Sequence, residues 1–244
     1  MWADRLALGL RPRLMLESVD LGARMVQQHA ATLARAYLPA AALLAMVAAS
    51  TWWWDPLAPM LVFFLFKPWL DRAALLVFAR TAFGQPVAAR DVWHADGLLT
   101  WRGIARAVTL VRLSPWRAYT QPVDQLEGLR GAAARQRRRL LLRGKRGVAY
   151  LQQAMFWLIE MLLATAITSL LYWLTPFDAS TSNRWWSFLL DNELLAHLFA
   201  ASQLIAAVFL EPFFVAAGFS MYLNRRVELE AWDVEQELRR AFAL

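Results

Sequence analysis

The sequence predicts an all-α integral membrane protein, with four transmembrane helices arranged as two hairpins and further amphipathic helices at the membrane interface. Three observations lead there. First, 59% of the 244 residues are hydrophobic, including 13 Trp and 14 Phe, and mean hydropathy is positive, which is too apolar for an ordinary soluble domain. Second, the charges avoid four long apolar stretches and crowd between them. Third, the Lys and Arg residues fall on one side of those stretches if there are four crossings, as short cytoplasmic flanks require.

The spans are read from length. A hydrocarbon core about 30 Å thick takes roughly 20 mostly apolar residues as helix. The stretches that qualify begin and end near Tyr37 and Trp54, Leu57 and Ala79, Tyr150 and Leu174, and Leu194 and Leu223. The first two are joined by a tight turn at Asp55 and Pro56. The last exceeds a straight crossing and contains Glu211 and Pro212, so it is expected as one tilted or broken helix. The chain then divides into a cytoplasmic amphipathic segment 1–36, a first transmembrane hairpin 37–79, a basic cytoplasmic segment 80–149, a second hairpin 150–223 and a cytoplasmic helix 224–244. Both termini are expected in the cytoplasm. The first 36 residues show no short apolar core followed by a small-residue cleavage site.

The two turns opposite the basic side are nearly free of positive charge. They carry Trp52, Trp53 and Trp54 in one and Trp173, Trp185 and Trp186 around the other, as suits amphipathic rings at a membrane interface.

Residues 12–35 place Leu16, Val19, Ala23, Val26, Ala30 and Leu33 at helical spacing, which predicts an interfacial helix feeding the first span. Residues 80–149 hold 14 Lys and Arg against 4 Asp and Glu, a balance of +10. Lying directly against apolar spans, this block has anionic lipid head groups as its nearest partner rather than nucleic acid. Leu98, Trp101, Ile104, Val108 and Leu113 among Arg102, Arg106 and Arg112 predict a basic helix on the inner leaflet. Arg135, Arg137, Arg138, Arg139, Arg143, Lys145 and Arg146 lead into the third span as candidate lipid or protein contacts. After Arg226 an acidic helix follows, which either folds back on the basic segment or presents a solvated face.

Ionisable groups inside a span are costly and usually face a bundle interior. Five are expected there: Lys67, Asp71, Arg72, Glu160 and Glu211. Lys67 lies 13 residues from Arg80, and Glu211 lies 13 from Asn224. At about 1.5 Å per residue both sit about 20 Å from the cytoplasmic boundary. Each precedes a proline and then an aromatic residue, Pro68 with Trp69 and Pro212 with Phe213. Aligned on the prolines, Phe78 also matches Tyr222, which suggests a diverged internal repeat of the two hairpins.

Two readings of this level stay open. In one, Pro68 and Pro212 break their helices, and freed carbonyls line a cavity with Lys67 and Glu211. In the other, Lys67 and Glu211 neutralise each other, Asp71 pairs with Lys67 or Arg72, and Glu160 takes the remaining positive group. Both bring Lys67 within salt-bridge reach of Glu211.

Motifs for catalysis are poor, so no enzyme, cofactor or metal is expected. There is no cysteine, which excludes disulfides, thiolate nucleophiles and Cys-type metal sites. Asp91, His94 and Asp96 match no helical ligand spacing. His29 and His197 stand alone, and no phosphate-binding glycine loop or nucleophile elbow is present.

The runs Glu211-Pro212-Phe213-Phe214, Tyr222-Leu223-Asn224-Arg225-Arg226 and Glu230-Ala231-Trp232-Asp233 resemble the terminal signature of a broad group of bacterial multi-span membrane proteins. That group includes the membrane domain of some glycerophosphodiester phosphodiesterases and accessory membrane proteins encoded beside MoxR-type ATPases. The resemblance covers the last span and tail, about a fifth of the chain, and departs at Ala231, where the group often has glycine. It implies a bacterial inner-membrane helical module and carries no catalytic residue across. The function expected first is a non-enzymatic module that scaffolds or regulates a membrane or cytoplasmic protein partner. The alternative is a transporter or lipid-handling subunit with its site near Lys67 and Glu211.

Overall fold

A computed structural model of the chain describes residues 14–55, 57–85, 87–93, 114–174 and 192–230. Every regular element among them is a helix: α1 (Met15–Gln28), α2 (Ala30–Ala49), α3 (Ala58–Ala82), α4 (Ala89–Trp93), α5 (Arg117–Gln125), α6 (Gly131–Leu142), α7 (Arg146–Leu174) and α8 (Asn192–Glu230). The expected basic helix over Leu98–Leu113, the residues His94 and Asp96, and Trp185 and Trp186 lie outside the described residues.

Three helices are long and apolar enough to cross a membrane: Ala30–Ala49, Arg146–Leu174 and Leu194–Glu230. The fourth expected span coincides with α3, whose 25 residues are long enough. What sets α3 apart is charge, because Lys67, Asp71, Arg72 and Arg80 all lie along it.

Helix α8 is the axis of the fold. It packs against α1, α3, α5, α6 and α7, whereas α2 packs against α3. Of its most apolar stretch 72% is buried, against 11% for α7. A helix apolar all round belongs in the interior, and one that leaves most of an apolar surface uncovered belongs in lipid. At about 1.5 Å per residue, the 39 residues of α8 run almost twice the hydrocarbon thickness. Toward its C-terminal end the protein itself buries Phe214, Val215, Phe219, Met221 and Tyr222.

The burial of that end depends on two close helix crossings. A Cβ on Gly22 of α1 would meet the Ala217 backbone nitrogen at 2.6 Å, and one on Gly218 of α8 would meet the Ala118 carbonyl carbon at 2.5 Å. Only hydrogen at these positions lets the backbones approach so closely. Met25, Ser18 and Met15 follow Gly22 along the buried face, and Ser220 Oγ reaches Met25 Sδ at 3.5 Å.

The buried stripe of α1 differs in register from the apolar spacing expected. The stripe facing α8 is Met15, Ser18, Gly22, Met25 and Val26, and Leu16 points outward, 56% exposed. Val26 of the expected stripe is buried, and small residues, not large ones, mark the tight crossing. The segment also divides, with His29 separating α1 from α2.

The helix ends have local causes. α3 closes in a Schellman arrangement: Gly84 is left-handed at φ 66°, its N–H donates to the Thr81 carbonyl at 3.0 Å, and Gln85 N–H donates to the Arg80 carbonyl at 2.9 Å. Asp91 then accepts from Ala88 N–H at 2.9 Å and pairs with Arg80 at 3.0 Å. That backbone hydrogen bond, assisted by Arg80 and Arg90, holds the Asp91 carboxyl below its ordinary range. Asp91 thus shapes the exit from α3. At the other end of the bundle, Trp52 stacks on His197 with ring centroids 5.7 Å apart, tying the turn after α2 to the start of α8. Trp53 and Trp173 are exposed at that end.

The helix-break expectation for Pro68 and Pro212 is also corrected. Both prolines lie inside continuous helices. A proline removes one hydrogen bond, and neighbouring helices packed against these buried prolines hold the backbone through the gap.

Candidate functional site

Five charged side chains from four elements meet in the middle of the bundle. Lys67 of α3 donates to Glu160 of α7 at 2.8 Å and lies 2.8 Å from Glu211 of α8. Arg117, the first residue of α5, lies 2.8 Å from Asp71 of α3 and 3.6 Å from Glu211. Gln203, two turns before Glu211 on α8, donates to the second Glu160 oxygen at 2.8 Å.

The positions follow from helical periodicity. Lys67 and Asp71 are four apart, so they share a face of α3, and that face meets α8. Glu211 is 1% exposed and Asp71 1%. Lys67, Glu160 and Arg117 keep 13–15% of their side-chain surface, directed into a cleft. The backbone is satisfied around them by polar side chains: Tyr37 OH donates to the Val208 carbonyl at 3.3 Å, Gln152 to the Phe214 carbonyl at 3.2 Å and Gln125 to the Arg72 carbonyl at 2.7 Å.

The expected Lys67–Glu211 contact is present. Its neighbours are paired differently from the expected scheme, in which Asp71 took Lys67 or Arg72. Asp71 takes Arg117, and Glu160 takes Lys67. Arg117 is the residue that sequence reasoning missed, because it belongs to a segment counted as wholly cytoplasmic. Its guanidinium also lies over the Phe214 ring, 5.6 Å from the centroid, a stacking position that suits arginine.

The ion pairs form the floor of a cleft of about 610 Å³ between α3 and α7. Both helices pack on α8, and the gap between them is walled by Phe63, Phe64, Phe156, Trp157 and Leu210. Ser114 and Pro115 line it beside Arg117. The rim residues Leu61, Phe64 and Trp157 are each more than half exposed, so the cleft opens sideways onto the apolar surface of α3 and α7. A second, almost wholly apolar groove of about 630 Å³ lies on the opposite side of α8, against α1 and α2, and includes Tyr37 and Pro212.

The basic segment is arranged differently from a free cationic surface. Arg137 forms a two-point contact with Glu127 at 2.9 and 3.0 Å and also meets Glu230, while Arg138 meets Asp124. Burial disfavours the charge on Arg137, and the Glu127 and Glu230 carboxylates more than offset that, so its guanidinium holds its proton even more firmly than usual. Lys145 pairs with Glu228 at 3.2 Å. The acidic end of α8 thus folds onto this segment. Arg135, Arg139, Arg143 and Arg146 remain on the exposed side, with Leu140 42% exposed among them.

No family model, no curated protein and no solved structure matches this chain.

Proposed function

We propose that this chain is a four-span, non-enzymatic inner-membrane protein that binds an amphipathic ligand entering from the bilayer, as a transport or lipid-handling subunit. One observation carries the reading. Lys67 joins Glu160 and Glu211 at the floor of a cleft whose walls are aromatic and aliphatic and whose rim faces the apolar surface. A ligand site pairs an apolar wall with a few placed polar groups, and charges held at mid-span are a mark of function in membrane proteins. In this reading α3 is the fourth span, with Lys67 and Asp71 paired inside the cluster and Arg80 paired with Asp91, and the basic end faces the cytoplasm.

The experiment is photolabelling in lipid nanodiscs with a diazirine-bearing phospholipid, read by peptide mass spectrometry. The proposal expects label on the recessed residues Phe63, Phe156 and Ala207 that an excess of unlabelled lipid removes. Label confined to the outward ridge of α7, at Leu158 and Leu162, would overturn it.

The scaffold reading is favoured by a separate observation, the exposed face carrying Arg135, Arg139, Arg143 and Arg146. Such a face attracts anionic head groups or an acidic protein partner. It shifts that role away from Arg137, Arg138 and Lys145, which the chain's own carboxylates hold. Reversing Arg135 and Arg139 to Glu should lower retention of a co-purifying partner and leave cleft labelling unchanged.

A further inference from the structure

Helix α6 sorts its arginines onto two sides. Arg137 and Arg138 are taken by carboxylates of the chain itself, Arg137 by Glu127 and Glu230 and Arg138 by Asp124. Arg135 and Arg139 are exposed, and Arg143 at the C-terminal cap continues their row. Successive members stand four residues apart, about 6 Å along the axis. Among the described residues no carboxylate pairs with any of the three. Like charges one turn apart repel on a helix, so the row works against the fold that carries it, and its charge is suited to something outside the chain.

The turn after α6 adds a fourth exposed arginine three residues on. Gly144 is left-handed at φ 74°, Lys145 turns in to Glu228, and Arg143 and Arg146 both stay exposed. Two contacts fix the turn: Arg225 donates to the Arg143 carbonyl at 3.1 Å, and Trp116 Nε1 donates to the Arg146 carbonyl at 3.2 Å. The Arg146 guanidinium lies over the same Trp116 ring, 5.9 Å from its centroid, a contact that holds this side chain at the surface. The backbone that presents these arginines is therefore set before any partner arrives, which lowers the ordering cost of binding.

Arg146 is also the first residue of α7, the helix whose most apolar stretch the protein leaves almost uncovered. Tyr150 and Leu151, just over one turn beyond Arg146, are both exposed, as is Leu140 within the arginine row. Basic groups thus run directly into an apolar surface, the same order of polarity that one phospholipid shows from headgroup to acyl chain. An acidic protein surface would match the arginines but not the apolar residues that continue from them along α7. We propose that the outward face of α6 and the turn into α7 bind anionic phospholipid, with Arg135, Arg139, Arg143 and Arg146 holding headgroup phosphates and the acyl chains lying along α7 from Tyr150 and Leu151. It rests on the reading of this face as a basic surface that draws an anionic partner, and gives that partner's class. Guanidinium groups suit the role, since each presents paired N–H donors to phosphate oxygens.

The test is native mass spectrometry of the purified full-length chain in detergent, titrated with dioleoylphosphatidylglycerol and, separately, with dioleoylphosphatidylcholine. The expected result is an affinity for the first anionic lipid at least about tenfold above that for phosphatidylcholine, weakening as ammonium acetate is raised. Arg139→Gln with Arg143→Gln should lower the phosphatidylglycerol affinity by about fivefold for each arginine and bring it near that of phosphatidylcholine. Both side chains are exposed, so this variant should unfold at the parent temperature. Arg24→Gln with Arg35→Gln, which removes two exposed charges from α1 and α2, should leave the preference intact. Equal affinity for the two lipids, or an equal loss in the Arg24 and Arg35 variant, would overturn the proposal. If the lipids bind alike while Arg135→Glu with Arg139→Glu still releases a co-purifying protein, the lipid assignment fails and the reading of a basic docking face stands. If the lipids bind alike and no partner is released, both fail.

Discussion

Arg117 Nε lies 2.8 Å from Asp71 Oδ2, which anchors the short helix α5 to a carboxylate buried between α3 and α8. The contact accounts for how a segment rich in charge is drawn into the bundle. Ala118 packs against Gly218 one residue further on, so the ion pair and the close backbone crossing fix the same end of α5.

Removing one partner of a buried ion pair leaves the other uncompensated, which typically costs about 3–5 kcal/mol. Arg117→Leu should therefore destabilise the fold by about that much, and pairing it with Asp71→Leu should recover most of the loss. Thermal unfolding in detergent, followed by tryptophan fluorescence, checks both.

Lys67 bridges Glu160 and Glu211, so its loss should cost more than the loss of either carboxylate. Lys67→Met removes one of two cations and should destabilise strongly, by about 3 kcal/mol or more. Glu211→Gln keeps the side chain's shape and leaves Lys67 paired with Glu160, so the unfolding temperature should stay within a few degrees of the parent. The double variant should be more stable than Lys67→Met alone, and additive losses would show that the two side chains are not coupled.

The crossings at Gly22 and Gly218 predict intolerance to volume. Gly22→Val and Gly218→Val should each cost about 1–3 kcal/mol or more, since the added atoms meet backbone and not a flexible side-chain tip. Substituting exposed Gly147, which has open space around it, with Ala should be tolerated. Resistance to unfolding by graded SDS separates the two outcomes.

The ion pairs joining α6 to the end of α8 predict a charge-swap rescue. Arg137→Glu should increase protease cleavage near Gly144, and adding Glu230→Arg should reverse much of that increase. Because these groups are partly exposed, each pair contributes only about 1 kcal/mol or less, and the effect should weaken with added salt.

Much of this architecture was legible in the sequence. Hydropathy located the apolar helices, and the matched depths of Lys67 and Glu211 predicted a contact that the structure contains. What the sequence hid came from tertiary context. Gly22 and Ser18 carry no apolar signal, and only the backbone of α8 beside Gly22 reveals a packing face. Arg117 read as one more cytoplasmic cation, because the number of charges in a segment says nothing about which of them reaches a buried carboxylate. A residual signal was present: the intramembrane set of Lys67, Asp71, Arg72, Glu160 and Glu211 contains more carboxylates than cations, and a further cation nearby is the simplest partner. Pro68 and Pro212 left two readings open in the sequence, and both stand inside continuous helices because packed neighbours tolerate a proline that would bend an isolated helix.

The most direct test of a charged cleft opening within the bilayer is the depth of its rim on α3. The chain has no cysteine, so Phe64→Cys can carry a single nitroxide spin label in nanodiscs, and its accessibility to oxygen and to a water-soluble nickel chelate can be compared. The account predicts high oxygen and low nickel accessibility, as deep in the membrane as a label at Leu158 on α7. A label at Phe64 open to the nickel chelate would place α3 in water and contradict it.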